Sequence, residues 1–259
     1  PEEFGYEFYD APKADFSASD IDKISISFSA NYILTKSGDI YVWGLNDGGA
    51  LGIGATENAM LLAPAKVDIG EPVKKISVSK NGNSVAALGE SGALYVWGWN
   101  TLAQFPGISD IFIYAPEKID FDKEIKEISV SQTNLIIYTA DEEIYMTNLG
   151  DCDFGEALGK NFEKDSIENK SEFCYAGKLK DVSKIDSAYN HCVFLTEGKE
   201  VYTLGRISEK SAFSYSATPE KIDLPENAAD AGAMKEGTVI LSENGTLYYI
   251  GYDKSGIRD

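Results

Sequence analysis

Chemistry in this 259-residue chain would have to start from few reagents, since it holds one histidine, His191, and three cysteines, Cys152, Cys174 and Cys192. His191 and Cys192 are adjacent, but no Ser/His/Asp ordering surrounds them, and general-base work needs such a partner. The run Val193-Phe194-Leu195 instead marks His191 as a hydrogen-bonding residue at a strand entrance and Cys192 as a small buried hydrophobe. The cysteines lack the close pair spacing of a zinc site. Cys152 and Cys174 flank one long connection, and the sequence accommodates either a bridge or three unpaired thiols. Asp151, Asp153 and Glu156 could attract calcium, but the other ligands of a known calcium loop are missing. Gly48-Gly49-Ala50-Leu51-Gly52-Ile53-Gly54 has no Gly-Lys-Ser/Thr ending and no helical period after it, so it is expected to be a turn between blades rather than a phosphate cradle. Only Arg206 and Arg258 could grip an anion through a guanidinium fork. No catalytic residue, metal or cofactor is expected.

Charge narrows the partners. Twenty-three lysines and arginines against 42 aspartates and glutamates leave a net charge of −19, which repels nucleic-acid backbones and anionic lipid. No apolar stretch approaches the ~20 residues that span a bilayer, and no charged-then-apolar leader opens the chain, so a soluble domain without membrane insertion is expected. The first residue is Pro1 rather than Met, and a leader or another domain is expected upstream.

The elements that would position any site repeat. A tyrosine-aromatic-glycine signature recurs in SGDIYVWG (37–44), SGALYVWG (91–98), DEEIYMTNLG (141–150), EGKEVYTLG (197–205) and NGTLYYIG (244–251). Its tyrosines, Tyr41, Tyr95, Tyr145, Tyr202 and Tyr248, lie 54, 50, 57 and 46 residues apart. A period near 50 residues made of short β-branched and aromatic runs indicates small sheets repeated radially, because one such sheet cannot bury its face alone. Each unit parses into four segments. The first alternates, as in Ile24-Ser25-Ile26-Ser27, Ile76-Ser77-Val78-Ser79 and Ile128-Ser129-Val130-Ser131, and its small residues suit the centre of a ring. The second is continuously apolar, as in Tyr32 to Thr35 and Val85 to Leu88, and is expected between packed sheets. Ser37-Gly38, Ser91-Gly92, Glu197-Gly198 and Asn244-Gly245 then form hairpin turns in which glycine supplies a positive φ, while Asp141-Glu142-Glu143 predicts a different turn. The third segment carries the signature, whose rings are structural. The fourth opens on proline at Pro64, Pro116 and Pro219, which suits an edge strand.

A copy of the fourth segment, Pro12-Lys13-Ala14-Asp15, precedes the first unit, and the chain ends just after a third segment. These readings predict an all-β chain forming a β-propeller of about five four-stranded blades, closed by an N-terminal outer strand. A fragment of a seven-bladed propeller is the alternative. The single domain, 1–259, would hold repeats at about 12–44, 63–98, 115–150, 176–205 and 218–251.

The string VWGLNDGGALGIG at 42–54, followed by APAKVDI and KKISVSKNGNSVAAL, resembles the regulator of chromosome condensation repeat family. That family pairs an aromatic with glycine, follows it with Asn-x-x-Gly-x-Leu-Gly, and places proline before the outer strand and Gly-x-x-His before the second. Here only His191 matches the histidine, with Asn31, Asn83, Asn134 and Gly237 near the corresponding positions. The resemblance implies a propeller, usually of seven blades, and a broad protein-binding surface. The family includes exchange factors for small GTPases, inhibitors that cap an active site and many bacterial proteins of unassigned role.

Binding is therefore expected where the repeats differ. The turns between first and second segments hold Phe28-Ser29-Ala30-Asn31, Lys80-Asn81-Gly82-Asn83, Gln132-Thr133-Asn134, Tyr189-Asn190-His191 and Met234-Lys235-Glu236, and should converge on one face. From these, Phe28, Asn31, Lys80, Asn81, Asn83, Gln132, Asn134, Tyr189, Asn190, His191 and Lys235 are candidate partner contacts. Trp99 and Phe105 are added from a connection that also holds Phe112 and Tyr114. The expected role is a non-enzymatic, monomeric protein-binding scaffold. A regulator of another enzyme and a carbohydrate-binding or carbohydrate-degrading propeller are the alternatives. A lysine-rich, arginine-poor composition suggests a bacterial protein, secreted or at the cell surface, with a cytoplasmic setting as the alternative.

Overall fold

The computed structural model describes residues 16–80, 82–147, 172–189, 191–209, 212–235 and 237–251. Among the described residues nineteen strands form five antiparallel sheets in chain order. The first contains β1 (Ile21–Ile26), β2 (Ala30–Thr35), β3 (Ile40–Leu45) and β4 (Met60–Lys66). The second contains β5 (Val73–Val78), β6 (Ser84–Gly89), β7 (Leu94–Trp99) and β8 (Phe112–Ile119). The third contains β9 (Ile125–Val130), β10 (Leu135–Thr139), β11 (Glu143–Thr147) and β12 (Phe173–Lys178). The fourth contains β13 (Val182–Ala188), β14 (His191–Thr196), β15 (Val201–Glu209) and β16 (Ala212–Lys221). The fifth has three strands among the described residues, β17 (Ala228–Met234), β18 (Gly237–Ser242) and β19 (Leu247–Gly251). Each sheet is a propeller blade, and neighbouring blades touch in chain order through β1 and β5, β5 and β9, β9 and β13, and β13 and β17. The alternating first segment is thus innermost. Each sequence unit is offset by one strand from a blade, because its fourth segment belongs to the sheet before.

Local chemistry explains three details of the blades. The fourth strands begin upstream of their prolines, which lie within the strand rather than at its start. In the blade pairings Val42 faces Ala65 while Gly44 faces Leu61, Val96 faces Glu117 while Gly98 faces Ile113, and Thr203 faces Glu220 while Gly205 faces Ser216. Each register shift is a bulge containing the proline, where no ladder donor is needed. The facing glycines have φ of 118°, 85° and 97°, and a Cβ on Gly98 would lie 1.8 Å from the Asn83 carbonyl oxygen. The hairpin turns keep one backbone shape through different residues. Gly38, Gly92 and Gly245 take positive φ, whereas in the third and fourth blades Glu142 and Lys199 take φ of 64°. In the fourth blade Lys199, not Gly198, therefore occupies the left-handed position. Finally, Gly48-to-Gly54 connects β3 to β4 within the first blade, rather than one blade to the next, and lies against the second blade. A Cβ on Gly48 would lie 2.4 Å from Trp99 Nε1, and one on Gly52 2.7 Å from Trp97 Cδ1.

Burial sets the first and fifth blades apart from the three between them. Ile40, Leu94, Ile144, Val201 and Leu247 share one register position at the beginning of the third strand of each blade, opposite Leu34, Leu88, Tyr138, Leu195 and Leu241. The first four are at most 1% exposed, but Leu247 is 69% exposed. On the opposite side of the blades, Ile76 is 1% and Ile128 4% exposed, whereas the equivalent Ile24 is 61% exposed. The first blade's outward face and the fifth blade's onward face thus carry the residues of an inter-blade contact with no sheet upon them among the described residues. The N-terminal strand expected to close the ring, Pro12 to Asp15, lies outside those residues.

Candidate functional site

The inner strands enclose an axial cleft of about 550 Å³ lined by Lys23, Ser25, Ser77, Lys80, Glu127, Ser129, Lys184, Asp186 and Ser187, among others. Serines close the contacts between inner strands: Ser129 Oγ lies 2.7 Å from Ser187 Oγ, and the Val130 amide donates to Ser77 Oγ at 2.9 Å. Lys23 donates to the Ile76 carbonyl at 2.9 Å, and burial lowers its pKa. Both carboxylates are occupied. Glu127 pairs with Lys75, and Asp186 accepts from Lys80 and from the Ala233 amide. Lys184 reaches out of the cleft to Asp230 of the fifth blade. Each carboxylate of the cleft lining is thus held by a lysine.

At one rim of this cleft the first-to-second-strand turns meet. The Phe28 amide donates to the Gly82 carbonyl at 3.2 Å. Gly82 of the second turn lies beside Gln132 of the third, since a Cβ built on Gly82 would come 3.6 Å from Gln132 Cγ. Ser131 Oγ and Thr133 Oγ1 donate to the Tyr189 carbonyl, at 2.7 and 2.5 Å, joining the third to the fourth. Lys235 Nζ stands 5.1 Å from the centre of the Tyr189 ring, joining the fourth to the fifth. Tyr189 takes φ of 47°, which turns its carbonyl towards this network.

The expected contact residues divide by burial. Phe28 is 74% exposed. Lys80 and Lys235 are exposed, and Gln132, Asn31 and Tyr189 are half-buried. Asn83, Asn134, His191 and Phe105 are buried and cannot be reached by a partner in this structure. Asn83 clamps two blades: its Oδ1 accepts from Ser27 Oγ, Ser29 Oγ and the Ser29 amide at 2.9 to 3.2 Å, while its Nδ2 donates to Asp47 Oδ2 at 3.1 Å. Asn134 Nδ2 donates to the Thr147 carbonyl at 2.6 Å. His191 Nε2 meets the Gly237 carbonyl of the fifth blade at 3.1 Å, and burial lowers its pKa. Beside it, burial raises the pKa of the Cys192 thiol, which disfavours the reactive thiolate. Asn81 and Asn190 lie outside the described residues, as do Cys152, Asp151, Asp153 and Glu156.

The aromatic connection of the second blade is largely packing. Phe105 is fully buried, Trp99 Nε1 donates to the Asp47 carbonyl at 3.1 Å, and Phe112 lies against Gly48. The organisers of these connections were Asn46 and Asn100, not assigned a role individually from sequence. Asn100 Nδ2 donates to the Ile108 and Asp110 carbonyls at 3.1 and 3.0 Å, and its Oδ1 accepts from the Phe105 amide at 2.9 Å. Asn46 does the same with Ala55, Glu57 and Leu51. Their shared place after aromatic-Gly-x in VWGLN and VWGWN was the available signal. Among the described residues no His/Cys/Asp/Glu group is arranged to hold a metal, and no helix is long and apolar enough to cross a membrane.

Comparison with known proteins agrees with this scaffold. Residues 37–85 match the Regulator of chromosome condensation (RCC1) repeat. Regulator of chromosome condensation of Drosophila melanogaster is 39% identical over 260 residues, covering 91% of this chain and 46% of that protein. The chain spans less than half the length of this relative and of its human counterpart. Human WBSCR16 superposes with a TM-score of 0.69 at 17% identity, over 89% of this chain and 60% of that one. Prp20p of Saccharomyces cerevisiae gives 0.68 at 16%, over 89% and 58%. The chain carries a regulator of chromosome condensation repeat and is built as a β-propeller of that repeat's kind.

Proposed function

We propose that this chain is a non-enzymatic protein-binding scaffold that engages a partner through the rim built by its first-to-second-strand turns. The observation that carries the reading is the side-by-side arrangement of the turns from Phe28 to Lys235, which gathers five dissimilar turns beside the axial cleft. A rigid scaffold presenting variable loops suits recognition of a protein surface. Exposed Phe28 offers an apolar anchor, with Lys80, Gln132, Tyr189 and Lys235 as polar and aromatic company. The paired state of Glu127 and Asp186 favours binding over glycan hydrolysis. Prp20p, which shares the fold, has binding properties towards Gsp1p and histones, and that precedent for protein partners supports the same class here.

The test is capture with the intact chain as bait, repeated with Phe28→Ala/Lys235→Ala and with Glu90→Gln/Glu117→Gln, exposed positions outside these turns. A specific partner should be lost with the first pair and retained with the second. Equal retention by both would overturn the assignment of the rim.

A further inference from the structure

A second site lies away from that rim, on the outer part of the third blade. The link from β8 to β9, together with β11 and β12, forms an open cleft of about 390 Å³ lined by Asp120, Phe121, Asp122, Tyr145 and Phe173. Phe121 meets Tyr145 edge to face at 5.4 Å between ring centres and Phe173 at 5.0 Å, and Tyr145 meets Tyr175 at 5.7 Å. Tyr145 is the third blade's signature tyrosine and has a structural reason to be present. The company of three further rings in this register does not follow from the repeat, because the other blades place Lys66, Lys118 and Lys221 opposite the signature tyrosine where this one places Tyr175.

We propose that this cleft receives a lysine or arginine side chain from a basic segment of a partner protein. Aromatic faces attract a cation through their quadrupole and cover its aliphatic stem. The cleft already has a cation at its edge: Lys123 Nζ lies 5.8 Å from the Tyr145 ring centre. That ammonium is compensated by Glu143, at 3.0 Å, which Lys178 also approaches at 3.5 Å. Asp120 and Asp122, by contrast, are exposed and have no ion pair or hydrogen bond among the described residues. Two uncompensated carboxylates on either side of Phe121 select positive charge, and the chain's net charge of −19 draws a basic segment towards the surface. The chemistry needed by a cationic side chain with an apolar stem is therefore assembled at one place. An extended segment, rather than a free amine, fits an open cleft beside the outermost strand β12, whose neighbouring backbone and exposed Tyr175 offer contacts beyond one side chain.

The experiment titrates the intact chain with the peptide acetyl-GSRKSRSG-amide, its counterpart with glutamine at each basic position, and acetyl-arginine-amide, all at about 0.15 M salt to screen non-specific attraction. Calorimetry gives affinity, and aromatic ¹H–¹³C spectra report the rings. The basic peptide should bind saturably and shift the ring signals of Phe121, Tyr145 and Phe173, while the glutamine peptide does neither. Asp120→Asn/Asp122→Asn should weaken binding roughly tenfold, and Phe121→Leu, which keeps apolar bulk, severalfold. Glu90→Gln/Glu117→Gln removes the same charge elsewhere and should leave affinity unchanged. An equal loss in that control, or no ring shifts, would overturn the site. Acetyl-arginine-amide binding as tightly as the peptide would overturn the extended segment. Because the rim pair Phe28→Ala/Lys235→Ala leaves this cleft untouched, failure here and failure of the rim assignment give different patterns.

Discussion

Leu94 and Leu247 provide a paired measurement of whether the fifth blade's onward face is uncovered in solution. They have the same side chain at the same register position, but Leu94 is 1% exposed between the second and third blades and Leu247 is 69% exposed. Truncating a buried leucine removes its transfer free energy and leaves a cavity, a loss of about 2–5 kcal/mol. Leu94 belongs to the large core shared by the first three blades, so Leu94→Ala should fall within that range. Truncating an exposed leucine leaves no cavity, and Leu247→Ala should change stability by no more than about 0.5 kcal/mol. The difference of about 1.5 kcal/mol or more is measurable in urea melts followed by circular dichroism, provided m is unchanged between variants. A loss for Leu247→Ala equal to that for Leu94→Ala would mean that a sheet or another chain covers the fifth blade, and would refute the reading of an open face.

Three further outcomes follow from hydrogen bonding, backbone shape and titration. Asn100→Ala removes two donors and one acceptor from a buried connection and should cost roughly 3 kcal/mol by urea denaturation, against less than about 0.5 kcal/mol for the exposed Glu117→Ala. Lys199→Gly should raise stability by up to about 1 kcal/mol, because φ of 64° strains a residue with a Cβ; a decrease in melting temperature would count against that strain. Burial keeps the His191 imidazole below its ordinary value of 6.5, so the unfolded chain binds more protons just below that pH. Its contribution is complete above 6.5 and is lost as pH falls towards the depressed folded value. Wild type minus His191→Gln, compared between about pH 7.5 and 5.5, should show that slope; identical pH profiles would refute it.

The blade plan was legible because each of its constraints is local. Alternation in Ile24-Ser25-Ile26, continuous apolarity from Val85 to Leu88 and the Ser-Gly turns each report a strand's surroundings directly. The burial of Asn83 and Asn134 was not legible, since an amide in a turn suits solvent and a buried hydrogen bond equally well. What decides is a distant partner: serines of the neighbouring first blade for Asn83, and the Thr147 carbonyl of its own blade for Asn134. Lys199 shows the same limit for the backbone: glycine occurs at the preceding position, yet the turn's hydrogen bond from the Lys199 amide to Thr196 sets which residue takes the left-handed shape. The Phe121 cleft is not legible in sequence because its rings come from three separate stretches, at Phe121, Tyr145 and Phe173 to Tyr175. The exposure of Ile24 is hidden for the opposite reason, since the same residue type at Ile76 and Ile128 is buried.

The unequal sharing of faces has a thermodynamic consequence for the series as a whole. In a chain of like units, each unit's persistence depends on its own stability plus the contacts it makes with its neighbours, so a unit bordered on one side lacks one coupling term. Among the described residues the second, third and fourth blades have both, while the first and fifth expose Ile24 and Leu247. Opening should therefore begin at the first and fifth blades and spread to those between them. Amide hydrogens of β6 and β10 should outlast those of β2 and β18 in exchange, giving the propeller a gradient of lifetimes along its sequence although its sheets are nearly alike.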